Sequence, residues 1–124
     1  MAVRVAIVSS DGKVINQHFG AAGQFLIFNI DGEIITYFEK RENNPSCGPG
    51  GHSSDKLAKS IDLISDCKLV LVSRIGPAAE SALNEKGVES VESGGLIKDA
   101  LIKLQRSLFF KQRLLKLPID SKME

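Results

Sequence analysis

The stretch "NNPSCGPGGHSSDK", residues 43–56, separates Cys47 from His52 only by Gly48, Pro49, Gly50 and Gly51. A soft thiol and an imidazole on so bare a loop are suited to bonding a metal. A third candidate ligand, His18, stands in "NQHFGAAGQ". Structural zinc wants four nitrogen or sulfur ligands in paired spacings. The three residues His18, Cys47 and His52 do not supply them, and no CxxC pair occurs. A four-iron ferredoxin site needs four cysteines, whereas the chain has two, Cys47 and Cys67. What remains is a site that makes one to three bonds to something already assembled. Such a site suits a carrier, because a ligand held by many strong bonds leaves slowly.

Catalytic readings fare worse. A thiol hydrolase would use Cys47 with His52 as its base. A glycine-proline loop is a poor rigid frame for that pair, and catalysis tolerates little positional slack. The glycines instead fit an anionic guest: Gly48, Gly50 and Gly51 let backbone amides approach closely. A helix starting near Ser53 would aim its first N–H groups at the same place. Gly94-Gly95 repeats the arrangement more weakly, and Arg74 adds a positive charge. Plainer readings stand beside these. His18 could hydrogen-bond a turn while Phe19 anchors the loop, Arg74 could pair with a surface acid, and Cys47 and His52 could be incidental. Cys67 reads as a small buried hydrophobe.

The elements that must position these residues follow from pattern. "VRVAIVSS" is a β-branched run closing in turn formers, a first strand over Val3–Val8. After a long loop, "FLIFNIDGEIITYFEKR" breaks at Asp31-Gly32 into an antiparallel pair, Phe25–Ile30 and Glu33–Arg41. "SSDKLAKSIDLIS" places Leu57, Ala58, Ile61 and Ile64 on one helical face, with Ser53 or Ser54 as N-cap. "CKLVLVS" is a fourth strand. "PAAESALNEKG" is a helix opened by Pro77 and closed by Gly87. "VESVE" is a fifth strand, and "LIKDALIKLQ" opens the last helix.

The order β-β-β-α-β-α-β-α predicts an α/β fold, a mixed five-stranded sheet with helices on its faces, as in ribonuclease H-like folds. With right-handed crossovers, the loops after the first, third, fourth and fifth strands leave the sheet at one end. Ligands of open α/β sheets usually bind there. His18, Cys47, His52 and Arg74 all fall on those loops. Nuclease activity does not come with the topology: two-metal phosphoryl chemistry needs converging carboxylates, and the first strand has none.

At 124 residues the chain is one domain, large enough to bury a core without staples. It is 43% hydrophobic and 25% charged, which argues against disorder. Two cysteines make no disulfide framework, which predicts the reducing cytoplasm. No stretch is apolar enough to suggest a membrane span or a signal peptide. A formal net charge of +1 gives no field that would gather nucleic acid. Charge is nonetheless uneven, with a net of −2 over residues 1–104 and +3 over residues 105–124. The last twenty residues therefore form a basic amphipathic extension. If the final helix runs on from Leu96 into it, Leu101, Leu104, Leu108, Leu115 and Phe109-Phe110 give that helix an apolar stripe, with Pro118 ending it. Three readings stand for it: packing over its own sheet, a homodimer or partner contact, and, last, a membrane surface.

Residues 3–104 resemble a known family. "SSDGKVINQHFGAAGQFLIFNIDG", "RENNPSCGPGGH", "LISDCKLVLVSRIGPAAESALNEKGVES" and "GGLIKDALIKL" look, in that order, like the nitrogenase cofactor-biosynthesis carrier domain of the NifX, NifY and NifB C-terminal type. The resemblance implies a non-enzymatic ribonuclease H-like domain over residues 1–104. It would bind an iron–sulfur or iron–molybdenum–sulfur precursor, or the finished cofactor, and pass it from donor to recipient protein. It also implies that His18, Cys47 and His52 are the cluster contacts, and the reading of the residues themselves adds Gly50, Gly51 and Arg74 to the candidate cofactor-binding site. No radical-enzyme cysteine motif is present, so a complete NifB-type synthase is not implied. The rival is an interaction module of the same fold with no cluster.

Overall fold

The computed structural model describes residues 2–44 and 54–116, without the side chains of Ser54 and of residues 108–116. Five strands form the main sheet: β1 (Ala2–Val8), β3 (Gln24–Asp31), β4 (Ile34–Glu42), β5 (Leu69–Val72) and β6 (Glu89–Glu92). Their spatial order is β4-β3-β1-β5-β6. Only β3 runs against the rest, pairing antiparallel with β1 and β4, while β1, β5 and β6 are parallel. The expected mixed five-stranded sheet is present.

Two details depart from the sequence reading. The loop after β1 is not irregular throughout. Val14–Ile15 forms a short strand, β2, which pairs antiparallel with β7 (Gly95–Leu96) as a separate ribbon. The hairpin turn sits one residue later than expected. Asp31 still pairs with Ile34, leaving Gly32 and Glu33 as the loop. Gly32 has φ of 62°, the left-handed first position that tight hairpin turns require and that glycine adopts without a Cβ clash.

Helices α1 (Ser54–Leu63) and α2 (Pro77–Glu85) cover one face of the sheet, and α3 (Ile97–Lys116) the other. Alternation along β1 explains the split, since successive side chains point to opposite faces. Ala6 and Val8 join Phe25, Ile27, Val70, Val72, Ile61, Ile64 and Leu83 in one core. Val5 and Ile7 join Leu26, Leu69, Leu71, Ile97 and Leu101 in the other. Helix α1 buries Ile61 and half-buries Leu57, and Ile64 is buried in the turn just past its end, but Ala58, expected on the same face, is exposed. Its place in the packing goes to Ser60, which is 1% exposed. Helix α2 begins with Pro77, and Gly87 follows its last turn at φ 81°, as the end signals predict.

The last helix settles part of the question about the extension. Ile97 and Leu101 are buried, Ala100 and Leu104 pack against them, and Gln105 Nε2 donates to the Gly32 carbonyl at 3.0 Å. Up to Gln105 the helix therefore lies on its own sheet and reaches the β3–β4 turn. Residues 106–116 continue the helix by about 16 Å, and Pro118, expected to end it, lies outside the described residues. No helix among the described residues is long and apolar enough to cross a membrane.

Cys67 is 3% exposed, as expected of a core thiol. Burial, helped by the neighbouring Asp66 carboxylate, pushes its pKa up to about 12, so it stays protonated and unreactive at neutral pH. Asp66 itself receives Arg41 Nη1 at 2.7 Å, Arg41 Nη2 at 2.9 Å and Arg4 Nη1 at 2.8 Å. Arg41 also donates to the Leu63 carbonyl at 2.7 Å, which ties edge strand β4 to the end of α1.

The hydrogen bonds from Arg41 hold the Asp66 carboxyl well below the usual range, against an opposing desolvation cost, with Arg4 assisting. A depressed folded pKa stabilises the fold above the unfolded value near 4, and that contribution is lost as pH falls through the folded value. Acid denaturation between about pH 4 and pH 2 should therefore be steeper in the parent than in Asp66→Asn. Because the Asp66 side chain is 43% exposed, the neutral-pH cost of that substitution is expected at about 1–2 kcal/mol. Urea melts across this pH range give the comparison. Parallel acid limbs in the two proteins would show that the carboxylate contributes nothing.

Candidate functional site

Strand directions decide where the candidate residues go. Since β1, β4, β5 and β6 are mutually parallel, their carboxyl ends, Val8, Glu42, Val72 and Glu92, lie at one end of the sheet. Helices α1, α2 and α3 each follow a strand leaving that end, so all three N-termini are gathered there. Their dipoles bring partial positive charge to this end, beside the first-turn acids Asp55, Glu80 and Asp99.

His18 and Arg74, 56 positions apart in the chain, meet at this end. The segment Gln17–His18 runs alongside Ser73–Arg74 as a parallel bridge. Ser73 N–H donates to the Gln17 carbonyl at 3.1 Å, and Phe19 N–H donates to the Arg74 carbonyl at 3.0 Å. The loop is anchored one residue further on. Phe19 is 1% exposed and packs on Phe25 at 5.8 Å between ring centroids. That anchor leaves both His18 and Arg74 exposed to solvent. The His18 side chain makes no capping bond to the short turn Phe19–Ala21 that follows it. None of the ion pairs among the described residues involves Arg74. The plainer readings of both residues, a turn-bonding imidazole and a surface ion pair, find no such contact among the described residues.

Helix α2 starts three residues after Arg74. Its N-cap, Gly76, makes no side-chain hydrogen bond, and Pro77 occupies the first turn. Ile75 N–H is taken by Glu92 Oε2 at 3.0 Å. Gly95, expected to lie in an open glycine loop, is instead paired with Ile15 at φ 80°, and Ile97 N–H donates to the Lys13 carbonyl at 2.9 Å. That loop is thus closed by the β2–β7 ribbon and is less available to a guest than Gly94-Gly95 alone suggests.

Cys47, Gly48, Gly50, Gly51 and His52 lie outside the described residues, as does Ser53. Their flanks are described. Asn43 and Asn44 leave β4 at the same end, and Ser54 begins α1. Among the described residues no group of three or more His, Cys, Asp or Glu side chains is placed to hold a metal ion.

Residues that pattern reading passed over do much of the positioning. Gln24 Nε2 donates to the Ser9 carbonyl at 3.0 Å, fixing the start of β3 against the end of β1. Asn43 Nδ2 donates to the Ala22 carbonyl at 2.7 Å, and Asn43 N–H to the Gly23 carbonyl at 3.0 Å. Asn43 Oδ1 in turn accepts from Ser60 Oγ at 3.0 Å. A signal for Asn43 was present, an asparagine directly after an edge strand where loops begin, but its partners are far away in sequence.

At the opposite end of the sheet an open groove of about 600 Å³ is lined by Arg4, Asn29, Asp66, Cys67, Lys68 and Lys86. Its carboxylate is already held by two arginines and its thiol is kept protonated, so it offers no open ligand.

Residues 1–107 match the family model described as dinitrogenase iron-molybdenum cofactor. The FeMo cofactor biosynthesis protein NifB of Frankia alni is 37% identical over 105 residues, which cover 82% of this chain but 21% of that protein. Protein NifX of Azotobacter vinelandii is 29% identical over 114 residues, covering 86% of this chain and 67% of that one. The chain thus spans about a fifth of the length of the NifB relatives it matches. Among solved structures, the crystal structure of PH0822 superposes with a TM-score of 0.67 at 25% identity, covering 85% of this chain and 92% of that one. An NMR structure of a Thermotoga protein provisionally named as NifB gives a TM-score of 0.56 at 24% identity, covering 84% and 88%.

Proposed function

The chain belongs to the dinitrogenase iron-molybdenum cofactor family, and from that premise we propose that it carries a preformed iron–sulfur or iron–molybdenum–sulfur cluster as cargo. The observation that carries this reading is the meeting of His18 and Arg74 at the sheet end where both flanks of residues 45–53 also emerge. Cys47, as thiolate, would bond a cluster metal through sulfur, and His52 or His18 through an imidazole nitrogen. Amides around Gly50 and Gly51, the three helix N-termini and Arg74 would meet the negative charge of a sulfide-rich cluster. One to three such bonds hold cargo without trapping it, as delivery to a recipient requires. The sheet order β4-β3-β1-β5-β6 also supports a ribonuclease H-like assignment.

The reading includes no chemical step on the cargo, so the protein is proposed as a carrier and not an enzyme. Its partners would be the donor and recipient proteins of cofactor assembly, with no nucleic acid and no membrane, in the cytoplasm. Anaerobic mixing of the apoprotein with isolated iron–molybdenum cofactor, followed by gel filtration, tests this directly. Co-elution of visible absorbance with protein is expected. Its absence, both for that cofactor and for a synthetic four-iron four-sulfide cluster, would leave the rival reading of an interaction module.

The carrier domain is proposed to span residues 1–104, with residues 105–124 as an extension that makes a homodimer or partner contact. Since Ile97, Leu101 and Leu104 stay in place, deletion of residues 106–124 should leave a folded domain that retains its cargo. Light scattering on the full chain and the truncation then reads the contact. A mass that falls from dimer to monomer is expected, whereas an unchanged mass together with unchanged partner binding would remove that role.

A further inference from the structure

We propose that the open edge of β4 is the seat on which the helical extension, residues 106–116, of a second copy of this chain docks. The inference deepens the contact reading of the extension given above and rests on it, since it names the surface that receives the helix. In the main sheet β4 pairs only with β3, so its other side is an open edge. The carboxyl half of that edge is guarded in the ways natural sheets use. The ladder with β3 skips Phe38 as a bulge, and Glu39, Lys40, Arg41 and Glu42 follow it. The stretch before them is not guarded. Ile34, Tyr37 and Phe38 are 67%, 52% and 47% exposed. Both rings are nonetheless held in place. Tyr37 meets Phe28 edge-on at 5.4 Å between centroids, and the Arg4 guanidinium lies 4.4 Å from the centre of the Phe38 ring.

The size and charge of this patch point to what covers it. A half-exposed aromatic leaves about 100 Å² in water, so the three side chains together offer roughly 300 Å². A stable interface takes about 800 Å² from each partner. Patch against patch in two copies falls short, and the contact needs a second surface. That surface projects from the same corner of the sheet. Gln105 Nε2 donates to the carbonyl of Gly32, two residues before Ile34, and the helix continues past it through Lys116. Residues 106–116 include Leu108, Phe109, Phe110, Leu114 and Leu115, with four bases and no acid. The edge is acidic in turn. Glu33, Glu39 and Glu42 outnumber Lys40 and Arg41, and Arg41 is already engaged by Asp66. Lengths agree as well: residues 106–116 span about 16 Å as a helix, and residues 34–38 about 16 Å as a strand. The helix does not reach the edge of its own copy. From the Gly32 turn β4 runs back toward the end of the sheet where α3 begins, so the two pass that turn in opposite directions. A second copy related by a two-fold axis receives the helix and returns its own extension to the first, which closes the pair.

Two full-length variants separate the sides of the contact. One carries Ile34→Lys and Tyr37→Lys, which put positive charge on the edge, lysine being common on natural sheet edges. The other carries Lys111→Glu, Arg113→Glu and Lys116→Glu, which make the extension acidic with another good helix former. Light scattering and sedimentation velocity read the mass of each alone and of an equal mixture. The unaltered chain is expected to be a dimer, and each variant alone to associate at least tenfold more weakly. The mixture is expected to form a heterodimer. In it a basic extension meets an acidic edge, and an acidic extension meets a lysine edge. Circular dichroism checks the fold, and Ile34→Lys alone, at the most exposed of the three positions, backs up the double variant. If the edge variant stays dimeric while the extension variant dissociates, the extension contact stands and its seat on β4 is wrong. An extension variant that stays dimeric, or two variants that fail to associate when mixed, also overturns the proposal. An unaltered chain that is monomeric at every concentration removes the homodimer reading of the extension together with its seat.

Discussion

Cys47→Ala is expected to weaken cluster binding tenfold or more, about 1.4 kcal/mol, while leaving the thermal midpoint nearly unchanged. The asymmetry has a physical basis. A thiolate–metal bond exists only when cargo is present, whereas the cores described on both faces of the sheet are built from residues of β1, β3, β5, the helices and their flanking turns. His52→Ala should add to the loss in the double variant, since the thiolate and imidazole would bond different positions of one cluster. Both proteins are compared by anaerobic titration with isolated iron–molybdenum cofactor and by thermal melts. Undiminished retention in the double variant would remove Cys47 and His52 from the site. Loss of retention accompanied by an early melt would point instead to a structural role for the loop.

Phe19→Ala should have the largest effect on stability of any substitution in the His18 loop, about 3–5 kcal/mol. The ring is 1% exposed, rests on Phe25 and lies in the core beneath α1 and α2. Its removal leaves a cavity where β1, β3 and β5 converge. The described residues of the same core, among them Val8, Val72 and Ala22, are themselves buried, so closing the cavity would require several side chains to shift. His18→Ala should do the opposite. The ring is exposed and makes no cap to the following turn, so its loss should cost little stability and should lower cargo affinity. Denaturant melts and cofactor titrations on both variants separate the two neighbours. A His18→Ala protein that unfolds early yet binds normally would make the histidine a structural residue.

These opposite expectations for adjacent positions show how far local pattern reaches. Phe19 was legible as an anchor because a large aromatic beside a glycine in a polar loop has few uses except burial. Helix α2 was equally legible, as Pro77 and Gly87 act on their own dihedral angles and need no distant partner. The shift of the hairpin turn from Asp31-Gly32 to Gly32-Glu33 was not legible. Either register keeps an apolar face inward over part of β3, and the choice depends on pairing summed over the whole ladder. Ala58 failed for a related reason. A helical face is about 100° wide in pattern, and only packing against the sheet decides which residue at its margin is covered.

For the site, the residue types were visible and their company was not. A cysteine and a histidine among glycines, and a histidine before a phenylalanine, announce soft ligands wherever the chain carries them. The sequence alone also determined the five main strands, both ends of α2, and the separate basic character of residues 105–124. All of these depend on neighbours within a few positions, where backbone dihedrals, capping and side-chain periodicity act. The tertiary structure decided that β5 lies beside β1, so that Arg74 meets His18 across 56 positions. It placed α3 on the face opposite α1 and α2. It also set Asn43 between Ala22 and Ser60, and Asp66 between Arg4 and Arg41. Such contacts join residues whose separation in sequence carries no information about their distance in space. They form only when every buried face and every backbone hydrogen bond of the sheet is satisfied together, and no local window of sequence contains that condition.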